Sequence, residues 1–301
     1  MHKVLLTGAS GFLVRHCLDL LAADHEVHAV TRSADLPARP NLHTHQVDLF
    51  QADHVAALLR DVRPSHLLHL AWITAPATYR DSPENLDWLA ASLHLVRAFA
   101  DNGGQRVVGA GSCAEYDWQH GICDEATTPL RPANLYGVCK NALREVMEQY
   151  GRQAGFGTAW GRLFFLYGPG EHPDRFVSYV IRALLADQPA QCSAGSQRRD
   201  YIFVKDAAQA LCAMLESPSC GAFNIGTGNA ISIKELAQTI AALLDKSTLI
   251  QIGRKPSPAT EPPLLVAHQG RATNELHWAP CYTIESGLTA TIEWWRSRAT
   301  P

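Results

Sequence analysis

Apolar positions along this chain follow two alternating rhythms. Short apolar runs of strand length occupy residues 3–6, 26–30, 67–70, 106–109 and 158–163. Between them lie longer segments at helical spacing, residues 12–22, 52–59, 85–100 and 135–153. Runs that are apolar throughout suit strands buried on both faces, and regular alternation with helices implies a parallel, doubly wound α/β sheet. Right-handed crossovers then place helices on both faces. After about Gly168 the rhythm loosens. A helix is expected over 176–186, short strands near 190–192 and 200–203, and helices over 205–215 and 233–243. The proline-rich stretch 255–265 reads as a loop. The expected organisation is a sheet domain over residues 1–168 and a smaller lobe over 169–301, mainly for substrate, that returns some elements to the sheet.

Composition narrows the picture without changing it. The chain has 301 residues, enough for such a domain and lobe, with 47% hydrophobic and 18% charged positions. A net charge of −3 gives no electrostatic case for nucleic acid or an anionic membrane. The first apolar run enters a glycine turn at once, so it reads as a strand and not a signal peptide. No run approaches the ~18 apolar residues of a membrane span. The eight cysteines form no CxxC pairs, which argues against a zinc site or a disulfide framework. Reduced thiols, no metal and a cytoplasmic location are the expectation.

The first candidate site is the turn Thr7-Gly8-Ala9-Ser10-Gly11-Phe12-Leu13-Val14 between the first strand and the first helix. Gly8 permits a tight turn, and Gly11 lets backbone approach a pyrophosphate at a helix N-terminus, where free N–H groups favour anions. That context reads as a Rossmann dinucleotide site, contributed by Gly8, Ser10, Gly11, Phe12 and Leu13. A third glycine is replaced by Val14, whose branched side chain either pushes the helix outward or is tolerated by a small displacement. The second strand ends at Arg32, with no acid to accept a ribose 2′-hydroxyl. Arginine accommodates a 2′-phosphate, so NADP(H) is favoured and NAD(H) remains possible; a solvated loop charge is the plainer reading of Arg32. Asp48 follows the run 44–47 and suits either an adenine amino group or a helix cap. Leu49, Leu70 and Ala71, at strand ends, are assigned to the same crevice.

The second candidate is catalytic. Tyr136 and Lys140 are four residues apart in a helical segment and so share a face. A nearby ammonium stabilises a tyrosinate and would bring Tyr136 toward neutrality, tuned to pass a proton as hydride moves. Alone, the pair is equally a surface aromatic beside a surface lysine. Ser112 follows the strand at 106–109, so strand topology brings it to the same crevice as the glycine turn.

The strings TGASGF, HLLHLAW, GSCAEY, YGVCK, RLFFLYGPGE, QRRDYIFVKDAAQA and FNIGTG occur in this order over nearly the whole chain. Together they resemble the extended short-chain dehydrogenase/reductases of the NAD-dependent epimerase/dehydratase family, which act mainly on nucleotide sugars. The resemblance implies Ser112 as the catalytic Ser/Thr, Tyr136 as acid/base and Lys140 as the catalytic lysine that also holds cofactor. It implies Asp48 at the adenine, and Arg199 at the substrate diphosphate, for which a guanidinium fork is suited. A salt bridge within the small lobe is the alternative for Arg199. Trp88 stands where the family's helix usually carries Asn, and Phe165 where Asn commonly precedes the Tyr-Gly-Pro turn. Phe165 offers an apolar wall to a deoxy-sugar, or core packing.

Within that family, dehydratases usually carry Asp-Glu directly after the catalytic Ser/Thr, whereas here Cys113 and Ala114 follow. The 3,5-epimerising members place a Cys where this chain has Ala114. Both chemistries are disfavoured. Cys113 and His172 remain candidate substrate contacts, though a lone loop histidine is commonly a surface residue. The expected reaction is NADPH-dependent reduction of the 4-keto group of a nucleotide-linked 6-deoxy-hexulose. The alternatives are a nucleotide-sugar 4-epimerase and, in another class, a non-catalytic dinucleotide sensor or scaffold. A homodimer through the helices at 85–100 and 136–153 is implied, with Leu89, Leu93, Val96 and Leu143 serving either that face or the core.

Overall fold

The computed structural model describes residues 1–32, 36–76, 78–256 and 261–299. Its first half runs β1 (Lys3–Thr7), α1 (Phe12–Asp24), β2 (Glu26–Thr31), β3 (Leu42–Gln46), α2 (Ala52–Val62), β4 (His66–His69), α3 (Glu84–Asp101) and β5 (Arg106–Ser112). There follow β6 (Ile122–Cys123), α4 (Leu135–Ala154), β7 (Gly157–Leu163), β8 (Phe165–Tyr167) and α5 (Phe176–Leu185). The rest comprises β9 (Ala190–Gln191), β10 (Arg198–Arg199), β11 (Tyr201–Phe203), α6 (Val204–Glu216), β12 (Gly221–Ile225), β13 (Ile231–Ser232), α7 (Ile233–Leu243), β14 (Ile250–Gln251), β15 (Leu264–Ala267), α8 (Gly270–Leu276) and α9 (Ile284–Ala299).

Seven strands form one parallel sheet in the order β12-β7-β5-β4-β1-β2-β3. The order reverses between β1 and β4, so the crevice opens there, beyond the carboxyl ends of the strands. Helices cover both faces because the central strands are apolar on both. One core joins Val4, Leu6, Val27 and Leu68 to α1 and α6. The other joins Leu5, Leu67 and Val107 to α2, α3 and α4. A third core, around Val180, Ile181, Phe203, Ile240 and Leu288, lies among α5, α7 and α9.

Several local readings need correction. The run expected at 44–47 is β3, an edge strand of sequence LHTHQ that starts at Leu42 and carries polar side chains on its open face. The expected loop ends at β15, because Leu264 and Leu265 pair beside β10. Strand β12, from the C-terminal third, completes the main sheet, and its range was not among the expected strands. Ser33 and residues 257–260 lie outside the described residues.

Candidate active site

The turn after β1 is closed by Gly11 N–H donating to Gly8 O at 2.7 Å. Gly8 has φ +79°, and a Cβ there would lie 3.0 Å from the backbone of Ala71. Only glycine combines that conformation with that approach. Gly11 is the N-cap of α1 and supplies no side-chain cap, and the first turn of α1 carries no acid. Its leading N–H groups therefore face outward for an anion. Val14 is 2% exposed, packed in the core with Leu13 and Leu18, and α1 still begins at Phe12. The branched side chain packs in the core beneath the turn and also lines the cavity described next.

A cavity of about 480 Å³ extends from this turn to the end of β5. Gly8, Ser10, Gly11, Phe12, Leu13, Arg32, Leu49, Leu70 and Ala71 line one part; Ser112, Cys113, Tyr136, Lys140, Phe165 and His172 line the other. Asp48 is not on the lining, although Val47 and Leu49 are. Its Oδ1 accepts from Phe50 N–H at 3.1 Å in a local turn just before α2. Asp48 does not cap α2, whose N-cap is Gln51 and has no side-chain cap. Arg199 is also off the lining. Its guanidinium donates to Glu261 Oε2 at 3.0 Å and to the carbonyls of Arg198 and Pro262. This is the salt bridge named as the alternative for Arg199, with β10 held against β15.

At the reactive end, Ser112 closes β5 and caps a short 3-10 turn over Cys113–Glu115. Its Oγ accepts from Ala114 N–H at 3.1 Å, while Glu115 Oε1 accepts from Ser112 N–H at 2.8 Å. Helix α4 starts against this turn. Asn134 caps it by accepting from Gly137 N–H at 2.9 Å, and Tyr136 N–H donates to Arg80 O at 2.9 Å. A Cβ at Gly137 would collide with the Ala114 carbonyl, so glycine there lets Tyr136 meet Ser112. Ser112 and Tyr136 thereby line the same end of the cavity, with the serine hydroxyl beside the phenol.

One expectation about electrostatics is overturned. Burial, with the neighbouring Tyr79 phenol, pushes the Tyr136 phenol well above its ordinary range, and Ser112 only partly opposes this. The Lys140 ammonium does not offset this burial. It is itself desolvated, which lowers its own pKa to about 7 against the raising influence of Glu115. Lys140 Nζ donates to Ala110 O at 2.9 Å and lies 3.9 Å from the Trp72 ring centroid, against 5.9 Å from that of Tyr136. Lys140 is thus aimed at the strand end and at Trp72.

Three features of the site escaped sequence reasoning. Glu115 is fully buried and accepts from Ser112 N–H, from Trp160 Nε1–H at 2.9 Å and from Arg162 Nε–H at 2.8 Å. Arg162 continues to Tyr116 Oη at 2.9 Å, and Tyr116 donates to Asn224 Oδ1 at 2.8 Å. This buried network underlies the Ser112 turn; the only hint in the sequence was a capping-box spacing. His69 forms the second feature. Ser92 Oγ donates to Trp88 O at 2.6 Å, so it accepts from His69 Nε2–H, and Thr7 Oγ1–H donates to His69 Nδ1. That leaves Thr7 Oγ1 accepting from Leu70 and Ala71 N–H at 3.2 Å each, which fixes the loop opposite Gly8. Burial, then the Lys140 charge, lowers His69 to about 3, keeping it neutral.

Glu171 is the third. It lines the cavity, is 6% exposed, and accepts from Ser178 Oγ–H at 2.9 Å. Burial raises its carboxyl to about 7 against the opposing bond from Ser178. Unfolded, it titrates near the ordinary glutamate value of 4.5. The folded state therefore holds an extra proton between these values, and stability falls as pH rises through that window. Glu171→Gln is expected to leave the unfolding midpoint unchanged at pH 4.5 and to raise stability at pH 8 by up to about 3 kcal/mol. Thermal melts of both proteins across pH check this; a constant offset would refute it. His172, by contrast, has a side chain 51% exposed at the cavity mouth, where its Nδ1 accepts from Asp174 N–H at 3.2 Å.

A glycine cradle, a helix N-terminus, a long cavity and a Ser-Tyr-Lys group at its far end define a dinucleotide-dependent enzyme of the Rossmann class. Residues 4–226 match the model of the NAD dependent epimerase/dehydratase family. The chain belongs to that family and is an enzyme of the extended short-chain dehydrogenase/reductase type. Among solved structures, MoeE5 in complex with UDP-glucuronic acid and NAD is 30% identical, covering 98% of this chain and 99% of its own, with a TM-score of 0.86. The UDP-glucose 4-epimerase of Thermus thermophilus in complex with NAD is 25% identical over 98% and 99% of the two chains, with a TM-score of 0.83. The GDP-6-deoxy-D-mannose reductase of Pseudomonas aeruginosa is 27% identical over 98% of each chain. Among the described residues no helix is long and apolar enough to cross a membrane.

Proposed function

We propose that this enzyme reduces the 4-keto group of a nucleotide-linked 6-deoxy-hexulose, using NADPH. The observation that carries the reading is the junction of Ser112, Tyr136 and Lys140 at the end of the dinucleotide cavity, without an acid pair beside Ser112. The glycine cradle and the uncapped start of α1 fit a dinucleotide diphosphate, and Arg32 on the lining fits a 2′-phosphate. When bound, the dinucleotide supplies the hydride. The chain's own residues do the rest. Ser112 Oγ–H orients the substrate oxygen, and Tyr136 Oη–H gives that oxygen its proton. A phenol held above its ordinary range by burial is protonated before the reaction, as a donor must be. Lys140 provides a buried donor at the end of β5 for a cofactor hydroxyl. Cys113 is 5% exposed, and burial pushes its thiol up, so it stays neutral and takes no part as a base. Tyr79, Trp118 and Phe165 supply an aromatic wall that excludes water.

A second reading, 4-epimerisation with retained NAD, is favoured by the NAD in the related complexes. Purified enzyme should oxidise NADPH stoichiometrically with a nucleotide-linked 4-keto-6-deoxy sugar, and NADH more slowly. Interconversion of UDP-glucose and UDP-galactose without added cofactor would replace the reductase reading by the epimerase one. We also propose a homodimer through α3 and α4. Val96 and Leu143 prove to be core residues, at 3% and 0% exposure, while Leu89 and Leu93 are partly buried against the same core. Leu86, Val138 and Val146 are the exposed apolar residues of these two helices. Val138→Arg with Val146→Arg should convert a dimer to a folded monomer in light scattering; a monomeric wild type would refute the proposal.

A further inference from the structure

The outer edge of the main sheet carries a second group of chemistry-bearing side chains, none of them on the cavity lining. β2 and β3 pair with His28 opposite His43, so strand alternation puts Glu26, His28, His43 and His45 on one face. His28 Nε2 lies 2.9 Å from Glu26 Oε1, and His43 Nε2 lies 4.0 Å from the same oxygen. The three donor atoms all fall within 4.8 Å of one another. Zn–N bonds of ~2.0–2.1 Å in a tetrahedral site set donors about 3.3 Å apart. The observed separations therefore need only small side-chain rotations, chiefly of the half-exposed His43. Behind this trio, His45 Nε2 is 2.8 Å from His28 Nδ1.

We propose that Glu26, His28 and His43 bind one borderline divalent transition ion of the zinc class, with His45 orienting His28. Two imidazoles and a carboxylate are the donor set such ions take, and a ligand histidine uses its second nitrogen on an outer partner. Without an ion, His45 Nε2–H donates to His28 Nδ1 and His28 Nε2–H donates to Glu26. With the ion on His28 Nε2, the imidazoles exchange tautomers. The 2.8 Å contact survives with its donor reversed, and no proton leaves the pair. His28 is largely buried while Glu26 and His43 open to solvent, giving one fixed ligand and an entry path. Lys3 Nζ, 3.6 Å from Glu26, is exposed and can swing away. β3 is hydrogen-bonded to the sheet through β2 alone, so the ion would clip the edge strand in place. Among the described residues one other such group, Asp124, Glu125 and His268, is weaker: it has one imidazole, and Asp124 Oδ1 already accepts from Ala126 and Thr127.

The test uses untagged full-length protein, titrated with Zn²⁺ by calorimetry and thermal melting, and with Co²⁺ by visible absorption. One site per chain is expected, with a midpoint rise of roughly 2–5 °C that chelation reverses. His43→Ala and Glu26→Gln, both at accessible side chains, should each weaken Zn²⁺ binding about tenfold or more and abolish the Co²⁺ spectrum. His2→Ala and His268→Ala should leave binding intact. No binding at micromolar Zn²⁺ overturns the proposal, as does binding that survives His43→Ala and Glu26→Gln or is lost in His2→Ala.

Discussion

Tyr136→Phe is expected to lower kcat by about 10²–10⁴-fold, the usual range for a positioned proton donor, with the fold intact. The substitution removes one hydroxyl, which lies beside Ser112, and it keeps the ring packed edge-on against Tyr79 at 4.9 Å. Hydride arriving at a carbonyl carbon builds negative charge on oxygen, and that charge needs the proton. KM should change little, because the proton is needed at the transition state and not in the ground state. The companion Lys140→Met separates catalysis from stability. Lys140 is 3% exposed, and burial brings its pKa to about 7. Below that pH the fold holds a desolvated charge, which an apolar side chain of similar length avoids. Lys140→Met should therefore lose most activity and melt no lower than wild type at pH 6. Steady-state kinetics and melting curves decide both. Wild-type kcat in Tyr136→Phe would remove this residue from the mechanism.

The second large effect belongs to a residue that touches no substrate. Glu115→Ala would leave Arg162, 1% exposed, without its ionic partner, and would free Ser112 N–H and Trp160 Nε1–H. Breaking a buried pair on one side costs about 3–5 kcal/mol, or a midpoint lower by about 5–8 °C in a chain of this size. Because the same carboxylate holds the Ser112 turn, kcat should fall with stability. A double-mutant cycle distinguishes this from simple loss of packing. Glu115→Leu with Arg162→Met should be less destabilised than the sum of the single changes. Strict additivity would mean that the ion pair is not what supports the turn.

These two residues also mark how far the sequence could be read. The alternation of apolar runs and helical segments was enough for the parallel sheet, because burial on both faces leaves its own signature in each strand. The strand-glycine-helix context was enough for the cradle at Gly8 and Gly11. Tyr136 and Lys140 were placed on one face by helical spacing, and Ser112 beside them by strand topology. Asp48 and Arg199 were read from motif position alone. Motif position does not say which partner a carboxylate or guanidinium meets first: Asp48 meets Phe50 N–H two residues on, and Arg199 meets Glu261, 62 positions away.

What the sequence by itself determined is therefore what short-range periodicity and backbone stereochemistry determine: strands, helices, the glycine turn and the facing of Tyr136 and Lys140. What only the tertiary structure decided is what depends on distant neighbours. Desolvation set Lys140 to about 7 and Glu171 to about 7, and held Tyr136 up. Long-range contacts joined Glu115 to Arg162 across 47 positions and brought β12 to the edge of the sheet. Burial and electrostatic coupling act through space, and a chain read residue by residue does not carry those distances.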